Sequence, residues 1–83
     1  MAYSLVRLAP GSYDVLRDGE VVAALVRSGE TSHAIWTAEL LEDLPPSERP
    51  APFTEMEHSF PSLEEARVWL EGALVLPSHA DAV

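Results

Sequence analysis

The sequence predicts an α+β domain: an antiparallel sheet of three to five strands, a β-meander, with one C-terminal helix packed on one face. Three observations predict it. Segments of strand character, separated by glycine-containing turns, fill residues 3–41. A helical period follows a capping signature at Ser62. Hydrophobic residues make up 47% of 83 residues, enough for one ordinary core and too much for a disordered acidic tail. Residues 1–76 are expected to form this single domain and residues 77–83 a flexible tail.

The first strand spans Tyr3 to Leu8, and Pro10-Gly11 turns the chain into a second from Ser12 to Arg17. Asp18-Gly19 follows, a strong hairpin signal because both turn positions need positive φ. Glu20 to Ser28 is the return strand. After a turn at Gly29–Ser32, His33 to Thr37 reads as a fourth strand, extending toward Leu41. A plain two-residue loop puts Arg17 opposite Glu20 and Val15 opposite Val22. Tyr13, Val15, Val22, Ala24 and Val26 then share the core face. Asp14, Leu16, Val21, Ala23, Leu25 and Arg27 share the other. That second face is apolar for a solvated surface, so a second layer or a partner should cover it. Leu16, Val21 and Leu25 make it a self-association face in a homodimer.

Residues 42–52 hold four prolines and read as a loop, because proline fits neither a helix interior nor a central strand. Phe53 to Phe60 reads as a short extended segment. Pro61 and Ser62 open the helix: the Ser62 side chain accepts from the backbone of Glu65, and Glu64 and Glu65 suit the positive end of the helix. Leu63, Ala66, Leu70 and Ala73 form its apolar face, with Trp69 on the flank and Gly72 as the stop. Leu74 to Leu76 are expected to pack back. Trp36 and Trp69 are expected in the core or at its edge, against one another.

Fourteen acidic residues against five arginines and no lysine give a net charge of −9. Nucleic-acid affinity rests on neutralising phosphates, so this balance argues against direct nucleic-acid binding. It favours a basic partner, steered inward by the field. Six acids, Glu39, Glu42, Asp43, Glu48, Glu55 and Glu57, fall within one stretch answered only by Arg49. They are the candidate partner-binding surface, and the helical explanation that serves Glu64 and Glu65 does not apply to them.

Other chemistries find little footing. There is no cysteine, which removes disulfides, thiolate nucleophiles and cysteine zinc sites. No apolar run is long enough to span a membrane, and residues Met1 to Arg7 lack the pattern of a signal peptide. The cytoplasm is the expected location. His33, His58 and His79 lack metal-ligand spacing, and Glu55 and His58 point to opposite sides of an extended segment. No nucleophile elbow or phosphate loop occurs. The chain is therefore expected to be neither an enzyme nor a cofactor binder. Arg7, Arg17 and Arg27 fall one per strand, but the hairpin register separates Arg17 from Arg27, so they cannot form one patch without a bulge.

Phe60-Pro61-Ser62-Leu63-Glu64-Glu65-Ala66-Arg67-Val68-Trp69, after a meander with a late tryptophan, resembles the start of the helix in arm-type integrase N-terminal domains and related β-meander-plus-helix modules. The resemblance covers ten positions. It implies a sheet with a helix on one face, and in that family basic and aromatic residues on the sheet bind DNA. This chain departs from the family in charge, so no functional residue carries over. The whole chain also resembles small uncharacterised bacterial proteins, which implies no function. The expected activity is that of a non-enzymatic protein-binding domain. Its sharpest form is an inhibitor or nucleic-acid decoy, of phage or anti-CRISPR type, acting on a basic nucleic-acid-handling protein. The alternatives are a structural homodimer, and a small metal- or ligand-binding domain using His58 with Glu55 or Glu57.

Overall fold

A computed structural model describes residues 3–29 and 31–77. Asp18 and Gly19 have φ of 52° and 86°, the pair of positive values that lets a two-residue turn match the twist of its strands. They join β2 (Ser12–Arg17) to β3 (Glu20–Ser28). β1 (Tyr3–Ala9) precedes them, and β4 (Ile35–Leu40) follows a turn at Gly29. A side chain at Gly29 would start 2.8 Å from the His33 carbonyl oxygen, at φ 86°, so that turn depends on glycine. β5 (Glu57–Phe60), α1 (Leu63–Trp69) and β6 (Leu74–Leu76) complete the described elements. Single 3₁₀ turns lie at Thr31–His33 and Pro46–Glu48.

The class is α+β, but the sheet is mixed and larger than a meander. Among the described residues it has six strands in the order β5-β4-β3-β2-β1-β6. The first five pair antiparallel. β6 lies parallel to β1, with Leu5 beside Val75. The parallel pair follows from the connection: α1 carries the chain from one edge of the sheet to the other, as a crossover must. The fourth strand starts at Ile35 rather than His33, and Phe53 lies in the loop rather than in β5.

One irregularity reassigns the faces. Arg17 opposes Glu20 and Leu16 opposes Val21, as the plain turn requires, but Val15 opposes Ala23. Val22 is therefore an extra residue, a β-bulge that shifts every later residue of β3 by one. The helix side carries Tyr3, Leu5, Val15, Ala23, Leu25, Trp36, Ala38 and Leu40, all in the main core cluster. Ala24 and Val26 fall on the open side, and Arg27 returns to the helix side. The proposed self-association face is accordingly dissolved. Leu25 is fully buried under the helix and Leu16 is buried on the other face, while Val21 is half-buried.

α1 starts as its sequence specifies. The Ser62 hydroxyl accepts from the Glu65 N–H at 3.1 Å, and Glu64 pairs with Arg67 at 2.8 Å. Ala66, Leu70 and Ala73 are buried against the sheet and Leu63 packs beside them. Past Leu70 the chain turns through Glu71 and Gly72, both at positive φ, and the Gly72 N–H closes on the Arg67 carbonyl at 2.8 Å. Arg67 also donates to the Ala73 carbonyl, fixing the lead into β6. The two tryptophans do not meet. Trp69 packs on Phe53, His58 and Phe60, and Trp36 on Tyr13.

Candidate functional site

The loop between β4 and β5 is pinned at four places despite its prolines. Phe53 is buried, with its ring 4.8 Å from Trp69. The buried Tyr3 hydroxyl donates to the Ala51 carbonyl at 2.7 Å. Burial raises the Tyr3 pKa above its ordinary 10.0; nearby Arg17 opposes the rise, and Glu71 and Asp18 add to it. His58, on the helix side of β5, accepts at Nε2 from the backbone N–H groups of both Thr54 and Glu55.

The fourth pin is Arg49. Its side chain is only 13% exposed, and its guanidinium donates to the Leu44 carbonyl at 3.0 Å and the Thr54 carbonyl at 2.8 Å. One cation thereby satisfies backbone acceptors from both arms of the loop. Its contact with Glu55 is long, 3.9 Å, and the Glu55 side chain is 75% exposed. Arg49 therefore braces the loop through its carbonyls and reaches a single member of the acidic cluster, Glu55.

The acids stand outward. All six are exposed. Glu39 and Glu57 sit directly opposite one another across β4 and β5 on the open face. Beside them Thr37 and Ser59 are joined by a 3.2 Å hydrogen bond between hydroxyls. Directly opposed like charges oppose strand pairing, so this register keeps two carboxylates together at a cost. Glu42 and Asp43 continue from the end of β4, and Glu48 lies on the Pro46–Glu48 turn. Glu20 joins the same end of the sheet through the hairpin. Sequence distance hid it, although the Asp18-Gly19 turn places it there.

The other candidates separate. Among the described residues no group of three or more metal-ligating side chains comes together. His33 Nδ1 lies 3.0 Å from the Ser32 hydroxyl, and His79 falls outside the described residues, as does the tail after Pro77. The bulge puts Arg7, Arg17 and Arg27 on one face after all. Arg17 stands at the hairpin end, however, and Arg7 and Arg27 at the opposite end, where Arg27 lies across Gly11. No helix among the described residues is long and apolar enough to cross a membrane. No protein family, curated protein or solved structure matches the chain.

Proposed function

We propose that this is a small non-enzymatic binding domain whose acidic surface, Glu39, Glu42, Asp43, Glu48, Glu55 and Glu57, engages a basic protein. The observation that carries the reading is the exposure of all six carboxylates around a single arginine. Arg49 comes within ion-pair distance of only one of them, Glu55 at 3.9 Å, so the stretch keeps a net negative field. The Glu39–Glu57 pair supports it further, because a like-charge register is disfavoured by folding alone and becomes useful when a cation docks. In its sharper form the carboxylates occupy a groove of the partner that otherwise holds nucleic acid.

The test is an NMR titration with an arginine- and lysine-rich peptide. Amide shifts should concentrate at residues 39–57 and vanish as salt shortens the screening length from about 10 Å at 0.1 M to about 3 Å at 1 M. Converting Glu39 and Glu57 to glutamine should weaken the complex. Absence of binding, or shifts that ignore salt, would remove the reading. For the sharper form, the bound partner should lose its hold on duplex DNA or RNA; undiminished nucleic-acid binding would leave only the broader one.

A further inference from the structure

The loop and the hairpin end enclose a cleft of about 270 Å³. That is just below the range of roughly 300–1,000 Å³ typical of small-molecule sites, and it suits a single long side chain. Its lining is mixed: apolar side chains, Val22, Leu40 and Leu44 among them, alternate with Glu20, Glu42 and Glu48 from three different segments. Arg17 also lines it, and the hairpin register sets Arg17 against Glu20. Three carboxylates thus face one guanidinium, leaving the cleft net negative. We infer that this cleft is an anchor pocket for one arginine side chain of the basic partner.

The chemistry of the guest follows from the two parts of the cleft. An arginine lays its methylene stem on apolar surface while its head stays among polar groups. Its planar fork serves carboxylates approaching from more than one direction, which an ammonium does as a point charge only. Arginine is also among the residues that most often dominate protein interfaces. Val22 gives the cleft part of its wall because the bulge makes it the extra residue of β3. The bulge that resets the sheet faces therefore also shapes the pocket.

The inference rests on the proposed function and deepens it by naming one subsite. The experiment uses the full chain and two blocked peptides that differ at one position, arginine in one and citrulline in the other. Citrulline keeps the shape and loses the charge. The arginine peptide should shift the methyl resonances of Val22, Leu40 and Leu44, and the citrulline peptide should not. Glu20→Gln with Glu48→Gln should weaken the arginine peptide about tenfold, as loss of roughly 1.4 kcal/mol requires, with an unchanged circular dichroism spectrum. Equal shifts from both peptides, or no loss in the double variant, would overturn the pocket. If longer basic peptides still bind in a salt-sensitive way, the broader reading survives that result. If no basic peptide binds at all, both fall.

Discussion

Leu25 and Val26 are neighbours in β3 and meet opposite surroundings. Leu25 is fully buried beneath the helix, while Val26 is 45% exposed on the open face. The same division runs across the sheet. The helix side collects the core, and the β4–β5 end of the open side collects Glu39, Glu57, Thr37 and Ser59. The difference teaches where this chain can vary. Side chains under the helix are fixed by packing, as are Val6 and Leu16 on the opposite face, whereas the exposed ones toward β4 and β5 answer mainly to whatever docks there.

The largest expected effect lies on the helix side. Leu25→Ala should cost about 2–5 kcal/mol by chemical denaturation, the transfer loss plus the cavity left behind. That is a large share of the stability of so small a domain. Tyr3→Phe comes next, at about 0.5–1.5 kcal/mol, because the Ala51 carbonyl loses its donor. The Tyr3 effect also carries a pH signature. Its folded pKa is raised, so the folded state holds the proton where the unfolded chain has lost it. Its contribution is complete below the unfolded value near 10.0 and falls as pH climbs through the raised folded value. The phenylalanine variant should lose that part of the alkaline slope. An unaltered slope would mean that the hydroxyl is not buried.

Smaller effects test the open face. Glu39→Thr should stabilise the fold by about 0.2–1 kcal/mol, since it ends the repulsion from Glu57 and adds strand propensity. The same variant should bind basic peptides more weakly. A change that raises stability and lowers binding is the sharpest evidence that the carboxylate pair is kept for docking; loss of both would assign it to the fold. Val26→Ser should stay within about 0.5 kcal/mol of the parent. A cost comparable to that of Leu25→Ala would mean that the open face is covered around Val26 as well, and the contrast between the two neighbours would break.

Much of this was legible in the sequence, and the failures have physical reasons. Asp18-Gly19 identified its hairpin because two positive φ values demand such residues. Ser62 with Glu65 marked the helix start, and the spacing of Ala66, Leu70 and Ala73 gave its buried face. The bulge at Val22 was not legible. A bulge without glycine has no local signature, and one extra residue inverted the face of every position from Ala23 to Arg27. β6 escaped as a strand because three residues carry no period, and its partner is distant in sequence. The acidic cluster was visible as charge, but the placement of its one arginine was not. Only the fold shows that Arg49 bonds to loop carbonyls and reaches one carboxylate, Glu55. Glu20 was missed because it reaches the site through the fold rather than along the chain.

The parallel partnership of β1 with β6 has a consequence for the order of assembly. Leu5 and Val75 lie 70 positions apart (75 − 5). β1 to β4 close through short turns, while this pair must wait until the crossover helix has docked. Until then β1 presents an unpaired edge, with Leu5 and Val6 at its centre, to any chain nearby. The last strand to join is thus a cover that retires an adhesive border. Trimming residues 74–76 should leave a protein that makes its hairpins and then sticks to itself, which light scattering during refolding would reveal.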